Sequence, residues 1–192
     1  MNHVKRLAVY CGSAPGSKGV FADAARATAE AMVRRDVDLV YGGGRLGLMG
    51  LIADRVLDLG GHVYGAIPTA LVDLEVAHEG LTELHRVDTM HERKAKMTEL
   101  ADAFLALPGG IGTLDELFEA WSWNALGYHA KPFCLLNVEG FWDGLIEFID
   151  HATQSGFLSQ QRRSQLLVAQ TPDEALELLD EAAAAATQGM VW

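Results

Sequence analysis

"AFLALPGGIGTLDELFEAW", residues 103–121, decides the fold. Its first part, "AFLALP" (103–108), is continuously apolar and of strand length, the pattern of a strand buried on both faces. Gly109, Gly110 and Gly112 follow, with Ile111 among them. Leu114, Leu117, Phe118 and Trp121 then recur at helical spacing. An apolar strand, a glycine loop and an amphipathic helix in one unbroken run are the building block of a parallel sheet.

The same block repeats outward in both directions. "RLAVYC" (6–11), "DLVYG" (38–42), "HVYGAIP" (62–68) and "PFCLLN" (132–137) read as strands, and "ELHRVD" (83–88) as a weaker one. Helical patterns cover 20–35, 48–60, 90–101, 113–123, 141–154 and 159–166. Residues 69–83 read as a loop with a helical turn, and "LLVA" (166–169) as a short apolar stretch. The last helix opens with Thr171 as N-cap, Pro172 at the first position and Glu174 as capping-box partner. Its alanine-rich tail, from about 182, is expected to fray. With neither internal repeat nor linker, residues 1–192 are expected to form a single α/β domain, a parallel sheet with helices on both faces.

In such sheets the ligand lies where the strand–helix loops meet, at the carboxyl ends of the strands. Three glycine-rich loops fall there: "CGSAPGS" (11–17), "YGGGRLGLMG" (41–50) and "PGGIGT" (108–113). Glycine suits a ligand pressed against bare backbone, and it equally suits a tight turn with close helix packing. On the first reading Gly12, Ser13, Gly43, Gly44, Gly109, Gly110 and Gly112 are binding candidates. Thr113 adds a hydroxyl at the start of a helix whose N-terminus attracts anions. Asp115 and Glu116 in that first turn fit either a favourable dipole interaction or chemistry. Arg93 and Lys94, near the start of "MHERKAKM" (90–97), oppose the helix dipole, which hints at another job.

Composition narrows the function further. A net charge of −11 with scattered Lys and Arg argues against a nucleic-acid partner but permits a small anion held by local donors. The apolar run at 7–11 is too short for a signal peptide or membrane span. Cys11 and Cys134, the two cysteines, each lie in an apolar run and read as core thiols, which fits a cytoplasmic setting. No HExxH, GxSxG or Walker pattern occurs, and no metal or other cofactor is expected.

Taken together, "YGGGRLGLMG", "MHERKAKM" and "LPGGIGTLDELFE" resemble the Lonely Guy (LOG) family of cytokinin riboside 5′-monophosphate phosphoribohydrolases, often mislabelled lysine decarboxylases. The family's PGGxGTxxE hallmark is met in full by residues 108–116. The resemblance implies a Rossmann-like fold, a homodimer with active sites close to the interface, and hydrolysis of the N-glycosidic bond of AMP-type nucleotides, often N6-substituted. The essential pair then matches Arg93 and Glu116. Further substrate contacts match Glu75, Lys94, Gly110, Ile111, Gly112, Thr113, Leu114, Asp115 and Ser122, where the family often has Thr. A decarboxylase of this kind needs a lysine Schiff base to pyridoxal phosphate, and none of the five lysines lies in a recognisable cofactor pocket. A broader purine-monophosphate nucleosidase and a non-catalytic nucleotide carrier are the competing readings.

Overall fold

A computed structural model describes residues 4–72 and 76–188. Seven strands form one parallel sheet: β1 (Arg6–Tyr10), β2 (Asp38–Tyr41), β3 (Val63–Pro68), β4 (Glu83–Val87), β5 (Ala103–Ala106), β6 (Phe133–Leu136) and β7 (Leu166–Ala169). Their order across the sheet is β4-β3-β2-β1-β5-β6-β7. The chain therefore builds outward from β1 in one direction, then returns to β1 and builds outward in the other. β1 and β5 flank the point where the order reverses, and that is where parallel α/β sheets open a crevice.

The central strands alternate side chains between two buried faces, while β4 at one edge stays partly exposed. Leu7, Val9 and Cys11 face one layer, with Leu39, Leu105 and Cys134. That layer is closed by α1 (Gly19–Arg34), α2 (Gly47–Asp58) and α7 (Pro172–Gln188), through residues such as Met32, Ile52 and Leu179. Ala8, Tyr10, Phe104 and Phe133 face the other layer. There α3 (Met90–Leu100), α4 (Ile111–Ala125) and α5 (Asp143–Gln154) bring Met97, Leu117, Trp121 and Ile149 onto the sheet. α6 (Gln160–Ser164) leads into β7. None of the described helices is long and apolar enough to cross a membrane.

Several boundaries differ from the sequence expectation. The apolar stretch at 166–169 is the edge strand β7, paired to β6 from Phe133↔Leu166 to Leu136↔Ala169. The helix expected at 141–154 begins at Asp143 as α5, after a 3-10 turn at Val138–Gly140 in which Glu139 lies in the left-handed region at φ 51°. α7 extends to Gln188, and its alanine-rich end suits a helix because alanine is the strongest helix former. Its start follows the expected cap: the Glu174 N–H donates to Thr171 Oγ1 at 3.3 Å. The Glu174 carboxylate accepts from the Gln170 N–H at 2.7 Å, one residue earlier than a standard capping box.

Candidate active site

The three glycine loops meet at the carboxyl edge of β1, β2 and β5. The Gly12 N–H donates to the Pro108 carbonyl at 3.1 Å, and the Leu48 N–H donates to the Gly12 carbonyl at 3.0 Å. A Cβ on Gly12 would sit 3.5 Å from the Gly109 Cα, so the first and third loops touch backbone to backbone. Gly47, at φ 59°, lies so close to Ser13 that a Cβ would fall 2.3 Å from the Ser13 carbonyl carbon. Close approach explains these glycines without any ligand.

The second loop also provides the seat of Arg93. A Cβ on Gly42 would lie 1.9 Å from Arg93 Nη2, so the guanidinium occupies the space a side chain would take. Arg93 is 3% exposed although it stands in the first turn of α3. The start of that helix is fixed by Thr89, whose Oγ1 accepts from the Glu92 N–H at 3.1 Å. Arg93 Nη1 also lies 3.8 Å from Met90 Sδ. Gly43 and Gly44, two of the binding candidates, are buried under residues 76–78 and share backbone contacts with His78 and Ala77.

The third loop is built differently. α4 begins at Ile111, two residues before the expected start, with Gly110 as its N-cap and no side-chain cap. Its first-turn N–H groups therefore have no partner within the helix. Gly110, Ile111 and Gly112 are exposed, and a Cβ on Gly110 or Gly112 would meet nothing within 4 Å. Thr113, expected to add a hydroxyl at the helix start, is 3% exposed and packs that hydroxyl against Gly109. Leu114 is half-buried among the hydrophobics of the α4 layer.

Glu116 stands one turn into α4 and is partly buried. Burial raises the Tyr10 hydroxyl and the Cys11 thiol above their ordinary pKa values, and the negative charge of Glu116 raises both further. That shared effect locates the carboxylate beside the end of β1. The Arg93 guanidinium rests on Gly42, just past the end of β2, the strand next to β1, so both groups belong to the carboxyl edge of the sheet.

Lys94 and Asp115 pair with each other. Lys94 Nζ donates to Asp115 Oδ2 at 3.0 Å and to Glu119 Oε2 at 2.6 Å, joining α3 to α4. Burial alone would lower the ammonium pKa, but the hydrogen bonds to Glu119 and Asp115 outweigh it and raise the value. Ser122 is not brought to the loop. It lies about 120° round α4 from Glu116 and about 9 Å along it. It opens instead on a cavity of about 430 Å³ shared with Phe118, Phe148, Phe157 and Arg162. Glu75 falls outside the described residues. Cys11 and Cys134 are buried free thiols, with burial pushing the Cys134 thiol up to about 12.

Sequence reasoning missed the ion pairs of Lys94, the Gly42 seat and His78. His78 is 4% exposed, and its ring joins α2 to residues 76–80. It stands in a stretch without helical or strand period, so no signal pointed to it.

Residues 49–179 match the family model described as "Possible lysine decarboxylase". The cytokinin riboside 5′-monophosphate phosphoribohydrolase LOG2 of Arabidopsis thaliana is 49% identical over 177 residues, 92% of this chain and 83% of that protein. The LOG enzyme of Oryza sativa subsp. japonica, with the same activity in its name, is 48% identical over 188 residues, 98% of this chain and 78% of that protein. Among solved structures, that of TM1055 superposes with a TM-score of 0.68 at 25% identity, covering 92% of this chain and 99% of that one. The molybdenum cofactor carrier protein of Chlamydomonas reinhardtii superposes with a TM-score of 0.71 at 16% identity, covering 93% and 98%, which is a likeness of fold alone. This chain belongs to the LOG family of cytokinin riboside 5′-monophosphate phosphoribohydrolases.

Proposed function

We propose that this protein hydrolyses the N-glycosidic bond of adenosine 5′-monophosphates, including N6-substituted ones, giving the free base and ribose 5-phosphate. The observation that carries this reading is the open start of α4, without a side-chain cap, with Glu116 one turn inside it and the buried Arg93 at the same sheet edge. The activity of the plant relatives supplies the reaction class.

The 5′-phosphate sits on the N–H groups at Gly110, Ile111 and Gly112, where the helix dipole and open space both favour an anion. Thr113 and Gly109 shape that loop from behind. Cleavage runs through an oxocarbenium-like ribose, with positive charge developing at C1′. The Glu116 carboxylate stabilises that charge and orients the attacking water. Water adds its oxygen to C1′, and the departing base takes a proton. Arg93, buried and preorganised on Gly42, holds the nucleotide or the leaving base. Lys94 acts through Asp115 and Glu119, fixing α4 relative to α3.

The active form is a homodimer formed through the apolar face of α4 and α5. Phe118, Phe148 and Phe157 are exposed there, Phe157 at 91%. Such a contiguous apolar patch is the usual mark of a protein interface. Ser122 opens on that face, so its substrate contact is assigned across the interface. Two buried thiols, Cys11 and Cys134, fit a reducing cytoplasmic location.

The test is to incubate the purified protein with AMP and with isopentenyladenosine monophosphate and to measure free base by chromatography. Release of base from either nucleotide supports the reading. Binding of AMP without release would make the protein a carrier, and equal turnover of both substrates a broad nucleosidase.

A further inference from the structure

Residues 76–80 brace the second glycine loop. The Val76 carbonyl accepts from the Arg45 N–H at 3.0 Å, and the His78 N–H donates to the Gly43 carbonyl at 2.9 Å. Gly44 and Ala77 form an isolated antiparallel bridge between these bonds. The brace includes a strained residue. Val76 adopts φ 51°, a left-handed conformation that β-branched side chains avoid. Such strain persists only where its surroundings over-determine it, and it gathers at functional sites.

His78 fastens the brace. Its Nδ1 accepts from the Gly80 N–H at 3.1 Å, so the neutral ring carries its proton on Nε2. That proton is donated to Asp54 Oδ1 on α2, 2.9 Å away. Arg45 Nη2 lies 4.0 Å from the same oxygen. Little apolar surface supports the segment otherwise: Val76 is 48% exposed, and Glu79 and Gly80 are exposed. Its bonds converge on Gly43, Gly44, Arg45 and Asp54, and the residue before that group is Gly42, on which the Arg93 guanidinium rests.

We propose that His78, through Asp54, is a positioning residue for the nucleotide site: it pins residues 76–80 against the second glycine loop and so fixes the seat of Arg93. The inference rests on the nucleotide-hydrolase reading above and names a further residue of that same site.

The test compares His78→Ala, Asp54→Ala and Asp54→Asn in the full-length protein with AMP at 25 °C, with thermal unfolding followed in parallel. His78→Ala and Asp54→Ala raise KM about tenfold, the worth of one such hydrogen bond. Turnover stays within about threefold, because Glu116 and the open third loop are untouched. Asp54→Asn keeps a KM near that of the parent protein, since its amide oxygen still accepts from Nε2–H. A purely structural role would lower the unfolding midpoint and leave KM unchanged in the folded protein. Unchanged KM in folded His78→Ala or Asp54→Ala overturns the proposal, as does an Asp54→Asn variant as impaired as Asp54→Ala. If His78→Ala fails to fold, the half-exposed Asp54 pair decides alone. If the parent protein binds AMP without releasing base, the hydrolase reading fails separately, and the same comparison is made on the AMP dissociation constant.

Discussion

The second and third glycine loops look alike in sequence and are used in opposite ways. "YGGGRLGLMG" is filled by the protein itself: Arg93 covers Gly42, the Ser13 backbone abuts Gly47, and a Cβ on Gly50 would fall 2.0 Å from the Arg45 carbonyl oxygen. In "PGGIGT" only Gly109 is crowded, while Gly110 and Gly112 face open space. One loop is a packing joint that seats a cation, and the other leaves its backbone open at a helix start. Glycine content alone does not distinguish them. What does is whether a neighbour already stands where Cβ would be.

The largest effect should come at the open loop. Glu116→Gln keeps the shape of α4 but removes the charge proposed to act at C1′, and turnover of AMP should fall about 10²–10³-fold. Base release at the parent rate would contradict the assignment. Next comes the closed loop. Gly42→Ala places a methyl group 1.9 Å from Arg93 Nη2 and must shift a buried guanidinium. Misplacement of about 1 Å costs up to about 10²-fold in kcat/KM, and overpacking costs about 1–3 kcal/mol of stability. An active, unshifted Gly42→Ala protein would show that Arg93 does not depend on that seat.

Gly112→Ala separates the two loops most sharply, because fold and function should move in opposite directions. An alanine in the first turn of α4 stabilises the helix by about 0.5–1 kcal/mol relative to glycine. The same methyl group enters the space assigned to phosphate, so KM for AMP should rise about tenfold, the loss of roughly one charge-assisted hydrogen bond. Calorimetry and steady-state kinetics on one sample check both signs. A rise in stability with unchanged KM would leave that space without a phosphate.

The smallest effect lies away from both loops. Burial, and then the charge of Lys131, lower the His129 imidazole to about 4. The unfolded chain takes up a proton near pH 6.5, before the folded one, so this group withdraws stability as pH falls from about 6.5 towards 4 and is silent above that window. A His129 titration followed by NMR should give a midpoint near 4. A midpoint near the ordinary value would remove His129 from any account of acid sensitivity.

Much of this arrangement was legible before the fold was known. Continuously apolar strands alternating with amphipathic helices give a parallel sheet, and that sheet brings the loops together at one edge. β7 was not legible, since four apolar residues after a five-residue helix carry no period of their own and acquire meaning only beside β6. The start of α4 was placed two residues late because helix boundaries depend on which residue caps, and here Gly110 is the N-cap without a side-chain hydrogen bond. Arg93 was picked out by its unfavourable position in the helix dipole, but its seat on Gly42 is a contact between distant parts of the chain. The surroundings of Lys94 and Ser122 come from the fold and not from their positions in the sequence: Lys94 is held by Asp115 and Glu119, and Ser122 opens on a different face of the same helix.

The central claim is that the open start of α4 holds a 5′-phosphate while Glu116 acts at the glycosidic bond. Measuring kcat/KM for base release from AMP and from adenosine, under identical conditions, tests it most directly. The account predicts a preference for AMP of at least about 10²-fold, because phosphate contacts lend binding energy to the transition state. Equal values for the two substrates would contradict it.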